Sequence, residues 1–157
     1  MKDKFDPVRS LLRAQTTLVL ASVSEDGSPQ STPLFFIADR SLNLYWFSSR
    51  SSLHSRNCLL SPHASVAISA NAHTWQQIQG VQMRGRVSMV TDRVLRKSLT
   101  AEYVARFALG NLFSFAIRRS SLYCFTPGWL RYLDNTRRFG YKFELTLPPP
   151  QTSASGV

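Results

Sequence analysis

With 157 residues, 43% of them hydrophobic and 11% aromatic, the chain has the composition of a globular domain and not of a disordered segment. A chain of this length buries roughly 70% of the surface it exposes when unfolded, so neither disulfide nor metal is needed to hold a core. The formal charge of +10 attracts phosphate, whether on a nucleotide, a nucleic acid or a lipid head group, and does not choose among them.

That charge is uneven. Between Arg84 and Lys142 twelve Lys/Arg face three acids, Asp92, Glu102 and Asp134. Cys58 and Cys124 lie far apart inside apolar runs and form no CxxC, as expected of reduced thiols. No apolar stretch follows "MKDKFDPVRS" and no run reaches membrane-spanning length, so the expected location is cytoplasmic, with no membrane contact.

In chain order, "FDPVRSLLRAQ" predicts a helix with Asp6 as N-cap and Pro7 at the first helical position. "TTLVLASVS" reads as a strand ended by the turn "EDGSP". "QSTPLFFIA" and "LNLYWFS" predict two strands joined as a hairpin across "DRS". "SSLHSRNCLL" is a short helix stopped by Ser61-Pro62, and "ASVAISA" is a strand. "WQQIQGVQMRGRVSMV" predicts one long strand from Trp75, with Gly80 and Gly85 at bulges or close approaches. Leu95, Leu99, Tyr103 and Phe107 recur every four residues in a helix capped by Thr91 or Asp92. "LFSFAI" is a second helical turn, and "SLYCFTP" and "GYKFELTL" are the closing strands. The pattern predicts a mainly β, α+β fold: a closed or barrel-like, largely antiparallel sheet with short peripheral helices. One domain over 1–147 is expected, followed by a disordered tail at 148–157.

Several chemistries are excluded. The three histidines, His54, His63 and His73, stand at no metal-ligand spacing. No serine has a nucleophile-elbow setting, and no glycine-rich loop follows a strand. What remains is the stretch from Phe47 to His54. A strand ends at Phe47-Ser48 and a helix begins a few residues later, with free amides and partial positive charge at its start. Ser48, Ser49 and Ser52 add hydroxyls, and Arg50 and His54 add basic groups. The set reads equally well as an anion cradle or as a capped helix with solvated serines.

The order "STPLFFIADRSLNLYWFSSRSSLHSRNCLLSPHASVAI" then "WQQIQGVQMRGRV" resembles the FMN-binding split barrels of the pyridoxamine 5'-phosphate oxidase-like superfamily. "QGVQMRG" and "LDNTRRFGYKFEL" are similar to segments of a small bacterial branch of it, and the resemblance spans roughly residues 10 to 146. It implies a split β-barrel in a homodimer that binds FMN. Gln30, Ser31, Thr32 and Pro33 would face the isoalloxazine and ribityl chain, and Phe47 and Ser48 would flank the phosphate. His54 stands where many relatives place a lysine or arginine. Gln79 or Gln82 would reach the flavin from the partner subunit. Phe35, Phe36, Trp46 and Trp75 are candidates for an apolar slot, with plain core packing the alternative for each.

The Arg-x-His-type segment that grips substrate phosphate in pyridoxamine oxidation is missing from "PGWLRYLDNTRRFGYKF", and no histidine follows His73, which argues against haem. The expectation is a flavin-dependent oxidoreductase acting on an unknown small molecule, with F420 in place of FMN left open and no catalytic residue assigned. The alternative is a non-enzymatic binding protein that stores or senses flavin, or that holds nucleic acid through its basic surface, the weaker option.

Overall fold

The structure is a computed structural model that describes residues 3–148, so of the expected tail all but Pro148 lies outside the described residues. Helix α1 (Asp6–Ala14) buries Val8, Leu11 and Leu12. Its cap differs from expectation. Phe5 is the N-cap residue and makes no side-chain cap bond, while Asp6 is already helical. Asp3 does the capping from upstream, accepting from the Phe5 N–H at 3.0 Å and pairing with Arg9 at 2.6 Å.

Strands β1 (Thr17–Val23) and β2 (Pro29–Phe35) form the first hairpin, with Leu18 opposite Leu34 and Ser22 opposite Gln30. Gly27 turns it at φ 85°, and Ser28 N–H donates to Asp26 Oδ1 at 2.9 Å. The predicted single strand "QSTPLFFIA" is broken. At Phe36, fully buried, the N–H turns to Thr16 O, and only β3 (Ile37–Ala38) goes on to pair with β4 (Leu44–Ser48). The "DRS" turn therefore joins β3 to β4, whereas β2 belongs to β1.

Helix α2 (Leu53–Leu60) leads to β5 (His63–Ser69), and a 3-10 turn at Trp75–Gln77 precedes β6 (Gln79–Met89). The long strand thus starts at Gln79 and not at Trp75. Helices α3 (Arg93–Arg106) and α4 (Asn111–Arg119) follow, then β7 (Ser121–Asp134) and β8 (Lys142–Thr146). All pairs are antiparallel, in the order β2-β1-β5-β6-β7-β4-β3, with β8 on β7. The two ends of that path, β2 and β3, are separated only by Phe36, so the sheet must curl until its edges nearly meet: a split barrel.

The β6–β7 ribbon is the spine. Arg84 faces Trp129 while Gly85 faces Pro127, leaving Gly128 as an extra residue in a bulge. A Cβ on Gly85 would lie 2.2 Å from Thr126 O and 2.9 Å from the Phe125 ring, so only glycine fits. The bulge also explains why Pro127-Gly128, which reads as a strand end, lies inside a strand. Beyond it β7 changes partner on its other edge, from β4 to β8.

Two cores result. The barrel interior holds Leu18, Leu20, Phe36, Trp46, Met83 and Phe125, among others. A second cluster joins Tyr45, Phe47 and Leu122 of the sheet to Leu99 and Tyr103 of α3. Of the two candidate caps, Thr91 and Asp92, it is Asp92 that caps α3, accepting from Val94 N–H at 2.8 Å and Leu95 N–H at 3.1 Å. Of the four-residue stripe, Leu95 is 40% exposed, whereas Leu99 and Tyr103 are buried. No helix among the described residues is long and apolar enough to cross a membrane.

Candidate functional site

Strand β4 ends at Ser48, and Ser52 caps α2 in an extended conformation, its hydroxyl accepting from Ser55 N–H. Between them the chain packs its hydroxyls around one imidazole. His54 Nε2 lies 2.7 Å from Ser48 Oγ and 3.1 Å from Ser52 Oγ. Ser52 Oγ donates to Ser49 O at 2.9 Å, and Ser49 and Ser51 share a bond at 2.8 Å. His54 is only 8% exposed, and burial pushes its pKa below the ordinary imidazole value. It is therefore neutral at pH 7. Arg50 is exposed and its side chain has no partner among the described residues.

Arg50 also borders a cleft of about 240 Å³ beneath α2, lined by Ser55, Cys58, Val87, Ser88 and Tyr123. Burial pushes the Cys58 thiol up to about 11, so it is not a thiolate nucleophile. Both cysteines are free.

On the opposite side of α2, Asn57 is buried and its Nδ2 lies 3.1 Å from Ser22 Oγ, 3.2 Å from Ser24 Oγ and 3.2 Å from Gln30 Oε1. Asn57 thereby ties Gln30 to the helix. Sequence reasoning passed over Asn57, Ser22 and Ser24. The available signal was an asparagine inside a helix, a weak helix former that often has a tertiary partner to satisfy.

The site residues expected from sequence separate into groups. Gln30, Ser48, Ser49, Arg50, Ser52 and His54 gather around α2. Thr32 faces inward opposite Leu20, while Ser31 and Pro33 lie exposed on the outer face of β2. The Phe47 side chain is buried in the second core cluster, edge-on to Tyr103 at 5.1 Å and under Arg96 at 5.5 Å, so only its backbone borders the site. Gln79 stands at the far end of β6 from the α2 cleft, about 30 Å away along a strand of this length. Its side chain bonds Asp134. Gln82 is exposed, opposite Ala67 and Arg131. The aromatic slot is not assembled within the chain. Phe36 and Trp46 are core residues, Phe35 packs on Phe107 at 4.8 Å, and Trp75 meets Phe139 at 5.3 Å.

The segment from Leu133 to Leu145 is a brace. Asp134, 3% exposed, accepts from Thr136 N–H at 3.0 Å, Thr136 O–H at 2.6 Å and Tyr132 O–H at 3.2 Å, with Arg137 at 3.3 Å. Burial alone would raise its pKa, but these donors together with Gln79 hold it below the usual carboxylate value. Asn135 donates from Nδ2 to Trp75 O at 2.8 Å and accepts from Gly140 N–H at 3.0 Å. Among the described residues no group of three His, Cys, Asp or Glu is placed to hold a metal.

The family model for pyridoxamine 5'-phosphate oxidase matches residues 6–134. Three solved structures illustrate the shared fold. A haem-binding protein from Mycobacterium smegmatis superposes with TM-score 0.73 at 16% identity, over 93% of this chain and 59% of its own. The haem storage protein HutZ from Vibrio cholerae gives 0.66 at 19% identity, over 80% and 91% respectively. A candidate pyridoxamine 5'-phosphate oxidase from Listeria innocua gives 0.69 at 19% identity, over 84% and 99%. No curated protein matches the chain in sequence.

Proposed function

The chain belongs to the pyridoxamine 5'-phosphate oxidase family, and from that premise we propose that it binds FMN at the α2 end of the barrel and acts as a flavin-dependent oxidoreductase on a small molecule. The observation that carries the reading is the cluster of Ser48, Ser49 and Ser52 at the start of α2, with Arg50 left unpaired beside it. A phosphate needs donors, and the first amides of α2, the serine hydroxyls and one guanidinium are the donor set it requires. The residues fit. Ser48, Ser49, Ser52 and Arg50 would hold the phosphate, and Gln30, fixed by Asn57, would present its amide to the ring system. When bound, the flavin supplies hydride or electron transfer. The chain binds, orients and excludes water, with neutral His54 holding the hydroxyls in place.

The same reading makes the protein a homodimer. Gln79 lies too far along β6 to serve the α2 site of its own chain and, with Gln82, would serve the partner's. The outer sheet face exposes Val19 and Val23 at 41% and 48%, apolar surface that a two-fold partner would cover. The arginines behind the nucleic-acid alternative are largely committed within the fold. Arg84 stacks on Trp129 at 4.2 Å, Arg106 donates to Arg13 O and Gln15 O, and Arg131 pairs with Glu144.

The test is a titration of purified protein with FMN, riboflavin, F420 and haem, monitored by absorbance, beside light scattering. FMN should bind best, in a particle of twice the 17.7 kDa chain mass. Arg50→Ala should weaken FMN by about tenfold or more, the value of one charge-assisted hydrogen bond, and leave riboflavin unchanged. Haem or F420 in preference to FMN, or an equal loss for FMN and riboflavin, would sink the reading.

A further inference from the structure

Helix α3 has two opposite faces. Leu99 and Tyr103 enter the second core cluster, whereas Arg93, Lys97, Thr100, Ala101 and Val104, three or four residues apart, form a stripe on the other side. With Arg118 of α4 this stripe lines a groove of about 570 Å³. Ala101, Val104 and Ala105 provide its apolar floor, and Arg93, Arg96, Lys97 and Arg118 its rim. No carboxylate lines it.

Arg96 is already used, donating to Ser120 O at 2.6 Å. The side chains of Arg93, Lys97 and Arg118 have no hydrogen bond, ion pair or ring contact among the described residues. Three arginines of the chain have carboxylate partners, Arg9 with Asp3 and Asp6, Arg131 with Glu144 and Arg137 with Asp134. The three cations of the groove, like Arg50, have none. Arg93 and Lys97 stand four apart, and Arg93 and Arg96 three apart, spacings at which like charges on a helix repel. Uncompensated cations around an apolar floor are complementary to one kind of ligand.

We propose that the α3–α4 groove binds a small amphiphilic anion, with an aliphatic body on the alanine–valine floor and a carboxylate or phosphate head among Arg93, Lys97 and Arg118. The volume lies in the range of small-molecule sites, whereas a macromolecular partner needs about 800 Å² on each side. This site is separate from the FMN site and stands whether or not flavin binds. The two back onto each other at Phe47, which Arg96 covers.

The probe is dodecanoate, titrated into the full-length protein below its micelle concentration, with and without FMN. Dodecanol and dodecyltrimethylammonium serve as neutral and cationic controls. Dodecanoate should bind saturably at one site, weaken with salt, and exceed both controls by about tenfold or more. Arg93→Glu and Lys97→Glu should each cost about tenfold. Ala101→Phe, at an exposed position, should abolish binding by filling the floor while leaving the melting temperature unchanged. Dodecanol binding as tightly as dodecanoate, or charge reversal without effect, overturns the proposal. So does retention on phosphatidylglycerol vesicles without binding of monomeric dodecanoate, which would make the helices a lipid-surface contact instead.

Discussion

The fold buries one histidine and one carboxylate among its described residues and treats them oppositely. Asp134, at the β7–β8 end, is met by two hydroxyls, an amide N–H and the Arg137 guanidinium. His54, at the α2 end, is met only by serine hydroxyls. Desolvation acts on both. At Asp134 the donors outweigh it and the carboxylate stays charged; at His54 nothing opposes it and the imidazole stays neutral. A charged group wrapped in donors is locked, because releasing it strands a buried charge. A neutral group among hydroxyls can exchange partners cheaply, since each hydroxyl rotates to donate or accept. One end of the barrel is fixed; the other is the end that we propose receives the phosphate.

The comparison is broken most severely at the ribbon that joins the two ends. Gly85→Ala forces a Cβ onto Thr126 O and Pro127, both backbone, and β6 and β7 must separate locally. We expect a loss of about 4 kcal/mol or more by urea unfolding, with both ends affected. A loss below about 1 kcal/mol would show that the bulge adapts.

Next comes the fixed end. Asp134→Ala removes the acceptor for Tyr132, Thr136 and Gln79 and should cost about 3 kcal/mol. Because the folded pKa of Asp134 is lowered, its contribution is complete above the unfolded carboxylate value near pH 4. It is lost as pH falls through the lower folded value. Asp134→Asn should therefore show a flatter acid limb than wild type in the same assay. An identical limb would place the charge elsewhere.

A smaller effect is expected at the receiving end. Ser52→Ala removes the α2 cap and one hydroxyl of the cluster, and should cost about 1 kcal/mol of stability. It should also weaken FMN more than riboflavin. Loss of stability with FMN affinity intact would reduce Ser52 to a cap alone.

The contrast between the two ends also marks what was legible in the sequence. The α3 cap at Asp92, the Leu99–Tyr103 stripe and the hydroxyl-rich start of α2 are local patterns, and each is where the sequence placed it. The break at Phe36 was hidden, because an apolar run reads the same whether a strand keeps its neighbour or changes it. Pro127-Gly128 read as a stop, since a bulge and a terminus use the same residues. Nor does the sequence show that His54 is buried, or that Asn57 reaches Gln30 across 27 positions, because both depend on how α2 sits against the β1–β2 hairpin. Helix and strand are written locally; the environment of a polar side chain is not.

The last test and the smallest effect concern the protonation of His54. Its folded pKa lies below the ordinary 6.5, so between those two values the unfolded chain binds more protons than the folded one. Stability should thus be full above about pH 6.5 and decline as pH falls toward the folded value. The slope stays under one proton, below about 1.4 kcal/mol per pH unit. His54→Gln, which keeps a hydrogen-bonding side chain without the titration, should lose that slope. FMN sharpens the test. A phosphate beside the imidazole favours its protonated form, so wild type should gain FMN affinity relative to His54→Gln as pH drops from 8 to 6. The second ionisation of the FMN phosphate near pH 6 affects both proteins alike and cancels in the comparison. Parallel FMN profiles for the two proteins, with the stability slope still confined to wild type, would leave His54 as a buried spacer and place the phosphate on Arg50 and the serines alone.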